Sequence, residues 1–144
     1  MNVELIRHPE LLNWFGSHPD IVEGIGGAVD FTHALRETNV FLFGEHGGFC
    51  FEWTAPGTYE VHAMITRSGR GIWGFRAALD ARSKIAAMGA QRLWARVRDD
   101  QRALAVFTRR AGFIRVDRRA LYPGGVPVTY DIFEWRNETC PQQS

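Results

Sequence analysis

The 144-residue sequence has no apolar run approaching the roughly 20 residues that cross a bilayer as a helix, which excludes a helical membrane span. Its opening stretch, MNVELIRHPELLNWF, has no basic segment followed by an apolar core, so no secretory signal is expected. Cysteine is scarce: Cys50 sits in an apolar run and Cys140 in a polar tail, neither a disulfide framework nor a metal-ligand spacing. A reducing cytoplasm is therefore expected, where Asn137-Glu138-Thr139 is no glycosylation acceptor, and no metal is expected. Lysine is nearly absent, Lys84 being the one non-arginine among seventeen basic residues. No G-K-[ST] occurs, which removes a Walker A loop. No repeat, linker or low-complexity stretch appears, so residues 1–136 read as one domain and 137–144 as a disordered tail.

What is present is an asymmetry. The net charge of +1 conceals a first stretch, 1–66, with two basic and nine acidic residues, and a second, 67–144, with fifteen basic and seven acidic. Opposite-signed halves suggest two tasks, with an anion met by the second; the alternative is a solvated, arginine-rich surface. The arginines are spread over helices and strands without a nucleic-acid motif, so nucleic acid is not the expected partner. Five Trp leave room for an apolar interface, compatible with a homodimer.

The chain opens with three short helical patterns, at Pro9 with ELLNWF, Pro19 with DIVEGI, and FTHALRE. VFLFGE, a turn over His46, Gly47 and Gly48, GFCFEW, the turn Ala55-Pro56-Gly57, and TYEVHAMIT then form a three-strand meander. From Ile72 to Met88 the period is helical, with Phe75, Ala78, Leu79, Ile85 and Met88 on one face and Asp80 paired with Lys84 on another. Gly89 ends that helix. QRLWARV is a strand, Asp99 or Asp100 the cap of a second helix QRALAVFTRRA, and FIRVDRRALY with VPVTYDIFEW a final antiparallel pair. A helix crossing between two strands of one sheet makes them parallel, so TYEVHAMIT and QRLWARV lie side by side in a mixed α/β sheet.

Between meander and helix, Gly69, Gly71 and Gly74 spell G-x-G-x-x-G. A dinucleotide fold would need an acidic residue about 20 positions on and a motif that opens the sheet. Here Asp99 and Asp100 lie 30 or more positions beyond Gly69, and a meander precedes the motif. The incoming strand also carries Glu60 and His62, unlike a buried parallel strand. A glycine loop leading into a helix N-terminus still suits a pyrophosphate, and Arg67 and Arg70 add charge and forked donors.

This layout resembles the GNAT N-acetyltransferase superfamily, whose acetyl-CoA loop reads Q/R-x-x-G-x-G/A between a strand and a long helix. Gly69 and Gly71 match in TRSGRG, with Thr66 at the Q/R position; in the register that places Gly74 last, Ile72 replaces a glycine. QRALAVFTRRAGF is similar to the family's N-x-x-A…Y…GF helix, with Gln101 at the Asn position, Thr108 at the Tyr position and Gly112-Phe113 closing it. Val40 to Trp135 follows the family's order of elements, and YEVH, RSGRG and RRAGF together look most like small bacteriophage-encoded members.

The resemblance implies a GNAT-like fold whose central parallel strands splay to admit acetyl-CoA as co-substrate. Pantetheine would bond the backbone at Met64, Ile65 and Thr66. The pyrophosphate would rest on the amides of Arg67, Ser68, Gly69, Arg70, Gly71, Ile72, Trp73 and Gly74, with Gln101 and Phe107 completing the cofactor site. An amine acceptor would attack the thioester directly, which needs a general base and a donor for the thiolate. Thr58, Glu60, His62 and Met64 share one strand face, so Glu60 or His62 is the candidate base. The alternative is that His62 is a hydrogen-bonded core residue and Glu60 pairs with an arginine. Thr108 stands at the acid position, with Tyr122 or Tyr130 as substitutes. Asp20, Glu23 and Asp30 would form an acidic acceptor wall. A non-catalytic GNAT-like phage assembly or host-interaction protein is the competing function.

Overall fold

The computed structural model describes residues 3–25 and 38–138, with the side chains of residues 24 and 25 left aside. The third helical pattern, FTHALRE, Asp30, Cys140 and most of the expected tail lie outside the described residues. Among the described residues seven strands form one mixed sheet: β1 (Glu4–Leu5), β2 (Val40–Gly44), β3 (Gly47–Ala55), β4 (Thr58–Ile65), β5 (Arg92–Arg98), β6 (Ile114–Leu121) and β7 (Val128–Arg136). Among the described residues four α-helices accompany it: α1 (Pro9–Gly16), α2 (Pro19–Ile25), α3 (Ile72–Ala87) and α4 (Arg102–Arg110). The sheet order is β1-β2-β3-β4-β5-β7-β6, antiparallel throughout except at β4–β5.

The meander, the crossover helix and the terminal hairpin fall where the sequence pattern put them, with informative departures. The β2–β3 turn is Glu45-His46, and both following glycines already belong to β3. Gly48 lies so close to β2 that an added Cβ would stand 2.2 Å from the Leu42 carbonyl oxygen, so that strand pair tolerates no side chain there. Neither Asp99 nor Asp100 caps α4. Gln101 holds the N-cap position without a side-chain bond, because the Asp100 carboxylate is taken by Arg98 at 2.7 Å. β1, two residues long, escaped the pattern; it exists by pairing with Leu42 and Phe43, which local sequence cannot announce.

Each face of the sheet buries its own core. On one face α3 and α4 cover Val40, Leu42, Phe49, Phe51, Leu93, Val97 and Phe133. The buried positions of α3 are Gly74, Ala77, Ala78, Ala81 and Ile85, whereas Met88 is exposed. The helical period is as expected but its phase is shifted, because small residues let the helix lie close to the sheet. Asp80 does pair with Lys84, at 3.1 Å, and also accepts the Val3 amide. On the other face α1 and α2 bring Leu12, Phe15 and Ile21 onto Phe41, Phe43, Cys50 and Met64.

Candidate active site at the β4–β5 splay

β4 and β5 pair over three positions only: Thr58 with Arg92, Tyr59 with Leu93, and Glu60 with Trp94. β4 continues to Ile65 along β3, and β5 continues to Arg98 along β7, so beyond Glu60 and Trp94 the two strands part. The result is a V with unpaired backbone on both arms. Ala63, mid-strand in β4, is exposed on the α3–α4 side, as expected where the sheet has opened.

The glycine loop lies at the open end. Thr66 donates its amide to the His46 carbonyl, and its hydroxyl contacts Ser68, whose own hydroxyl lies 3.0 Å from His46 Nδ1. The His46 ring meets Trp73 edge-on, with centroids 5.0 Å apart. The β2–β3 turn thus braces the loop, a role that nothing local to TRSGRG revealed. Within the loop the amides of Gly69 and Arg70 are consumed by the Thr66 and Arg67 carbonyls, and that of Arg67 by the Asp20 carboxylate at 2.7 Å.

The first helical bond of α3 runs from Phe75 to Gly71, and no side chain caps the helix. The amides of Gly71, Ile72, Trp73 and Gly74 therefore precede the helical ladder and carry the positive end of its dipole. Of the eight amides expected to form the cradle, from Arg67 to Gly74, those of Arg67, Gly69 and Arg70 are already bonded and those of Gly71 to Gly74 precede the helical ladder. Gly71 adopts φ 97°, accessible to glycine. At Gly74 an added Cβ would lie 2.9 Å from the Gly69 carbonyl oxygen and 3.8 Å from Phe107, which places the Phe107 ring of α4 against the loop.

Asp20 and Glu23 do not form an acidic wall. Asp20 holds the Arg67 amide and lies 3.6 Å from its guanidinium, while Glu23 pairs with the same guanidinium. The Arg67 amide bond above all, against an opposing desolvation, keeps the Asp20 carboxyl below the usual range. Their charge is spent inside the loop rather than offered to an acceptor.

At the vertex, Glu60 is buried and both its oxygens face Arg96, at 2.7 Å from Nε and 3.3 Å from the second nitrogen. Arg96 stands on β5 two residues beyond the last paired position, so the ion pair spans the V as a strut. His62 Nε2 lies 3.0 Å from Glu52 and 3.7 Å from Glu60. Glu52, on β3 directly opposite Glu60, is a site residue the sequence reading missed. A signal existed: the Ala55-Pro56-Gly57 turn sets the hairpin register that puts Glu52 and Glu60 side by side. Glu52, Glu60 and His62 offer ligand atoms within 4.8 Å of one another, but the Arg96 guanidinium occupies Glu60 and opposes a cation there.

The remaining candidates are placed as follows. Met64 belongs to the α1–α2 core, and Ile65 packs toward the other face. Gln101 donates its amide to the Arg98 carbonyl at the start of α4. The buried Thr108 hydroxyl donates to the Leu104 carbonyl at 2.7 Å, one turn back, so its proton is committed to the helix rather than to the V. Tyr122 is exposed in the β6–β7 connection, and Tyr130 lies opposite Arg98 toward the open end of β5.

An acetyltransferase from Bacillus subtilis in complex with CoA superposes with TM-score 0.69 at 12% identity, over 94% of this chain and 98% of that one. A GNAT-family acetyltransferase from Bacillus anthracis gives 0.69 at 11%, covering 94% and 95%. The fold is that of the GNAT acetyltransferases. A Salmonella typhimurium protein solved with acetyl-CoA as its cofactor gives TM-score 0.74 at 12%, covering 99% and 98%. No family model and no curated protein sequence matches the chain. In this GNAT fold the Glu52–His62 pair sits at the vertex of the splayed strands, and the uncapped helix begins beyond their open end.

Proposed function

We propose that the chain is an acetyl-CoA-dependent N-acetyltransferase acting on an amine. The observation that carries this reading is the β4–β5 splay opening onto the uncapped first turn of α3. The turn suits a pyrophosphate: its amides at Gly71–Gly74 have no helical acceptor, and Gly74 allows close approach. Acetyl-CoA would supply an acyl carbon activated as a thioester. His62 is the base in this reading, because Glu60 is held on both oxygens by Arg96. With Glu52 accepting from Nε2–H, neutral His62 carries its lone pair on Nδ1 and can take the proton an attacking ammonium must lose. The freed amine's new C–N bond forms as the C–S bond breaks, and the surplus proton on the nitrogen is released to water. Thr108 is given no part in protonating the thiolate, which takes its proton from water. The setting is cytoplasmic; no described helix is long and apolar enough to cross a membrane.

A second reading, a non-catalytic GNAT-like phage assembly or host-interaction protein, is favoured by the committed Thr108 hydroxyl and by Asp20 occupying the Arg67 amide. Acetyl-CoA at about 100 times its dissociation constant should stabilise the fold by roughly 2.7 kcal/mol, read as a thermal shift. Thiol release across an amine panel should then fall about 100-fold in His62→Gln and less in Glu52→Gln. A shift without thiol release selects the second reading, and no shift removes both the ligand and the activity.

A further inference from the structure

The acceptor's chemical class is written on the sheet face that carries His62. Cross-strand register places Glu52, Glu60, Trp94 and Glu134 in one row across β3, β4, β5 and β7, all on that face. The two ends of the row differ in charge. At the β3 end Glu52 is bonded to His62, a centre that is negative while the imidazole is neutral. At the β7 end the Glu134 carboxylate is held by Arg92 at 2.8 Å and by Arg136, two cations on one anion. Between them Glu60 and Arg96 cancel. Arg92 and Arg136 make no other ion pair among the described residues, and both remain substantially exposed.

Trp94 lies between the charged ends. Its indole N–H donates to Thr54 on β3 at 3.1 Å, so the ring lies across β4 as a half-buried apolar floor. Glu60, beside which His62 lies, and Glu134, which gathers the two guanidinium groups, are two strands apart in one row, about 10 Å at the usual interstrand spacing.

We infer that the acceptor is an amine that also carries a carboxylate several bonds away, its ammonium end at His62–Glu52 and its carboxylate on Arg92 and Arg136. The inference rests on the acetyltransferase reading for the amine's fate, but the binding it asserts is independent of turnover. The forked guanidinium donors suit a planar carboxylate, and Glu134 already shows one held by both.

The test is equilibrium titration calorimetry of the full chain, in the presence of CoA, with δ-aminovalerate, its methyl ester, n-pentylamine and 4-aminobutylphosphonate. The amino acid should bind at least about tenfold more tightly than the ester or the alkylamine, the increment expected of charge-assisted bonds to an anion. Arg136→Gln and Arg92→Gln should each erase that difference while leaving alkylamine affinity within about twofold. Equal affinity for acid and ester, or no binding of either, overturns the inference without any variant being needed. Tighter phosphonate binding overturns the carboxylate assignment. Preference for the acid with no thiol release upholds the binding class and removes the transferase reading instead.

Discussion

At the scale of single residues, the Glu60–Arg96 pair has an asymmetric role. Glu60 is buried while Arg96 is about two-fifths exposed, so losing the arginine strands a desolvated carboxylate, whereas losing both charges does not. Arg96→Met should therefore destabilise the protein by about 1–3 kcal/mol in urea unfolding. Glu60→Gln/Arg96→Met should recover much of that loss, and an unrecovered double variant would mean that Arg96 acts through packing on Trp94 instead. Cys50 is the complementary case. Burial, helped by the charge of Glu52, pushes its thiol far up, so it should be inert as a nucleophile while the fold persists. In a Cys140→Ser background, labelling by a thiol reagent at pH 8 should proceed only at the rate of unfolding; rapid native labelling would contradict this burial.

At the scale of elements, the proposed function has α3 separate binding from stability at its two ends. Gly74→Ala would press a methyl against the Gly69 carbonyl and should lower acetyl-CoA affinity by at least about tenfold, the cost of displacing one or two loop amides from an anion. Gly89, at φ 105° with open space around it, terminates the helix; alanine there should cost about 1 kcal/mol in stability and leave affinity unchanged. Equal effects at both ends would mean that the first turn of α3 does not hold the ligand. The sequence pattern identified these elements because periodicity is local: the meander, α3 and the last hairpin each announce themselves within a dozen residues. It failed where the decision is made at long range. Asp100 looked like a cap until Arg98 claimed it. The phase of α3 was set by the closeness of the sheet rather than by its largest side chains. At the candidate site, Glu60 and His62 were legible from strand alternation, but their partners Arg96 and Glu52 sit on other strands and required the register. Asp20 and Glu23 were read as an open acidic wall because the sequence alone could not show Arg67 between them.

At the scale of the molecule, the charge asymmetry resolves into ion pairs that predict its acid limit. Asp20 is held below the usual carboxylate range chiefly by the Arg67 amide, Asp117 by the Arg119 guanidinium, and Asp131 by Arg118. For Glu134 burial alone would raise the carboxyl, but bonds from Arg136 and Arg92 outweigh it and leave it lowered. In each case the folded pKa lies below the unfolded one, near 4 for these side chains. As pH falls the unfolded chain takes up protons first, so these groups contribute fully above about pH 5 and lose their contribution as pH passes through the depressed folded values. The urea midpoint should therefore be insensitive to these carboxylates from about pH 5 to 7 and fall steeply below about pH 4. Asp131→Asn should lower the midpoint at neutral pH, where Arg115 and Arg118 lose their shared partner, and make the acid slope shallower. Because the arginine partners of these carboxylates are exposed, added salt should weaken the effect as well. A midpoint unchanged between pH 6 and pH 3 would mean that the arginine-rich second half is solvated surface and holds its carboxylates no more firmly than the unfolded chain does.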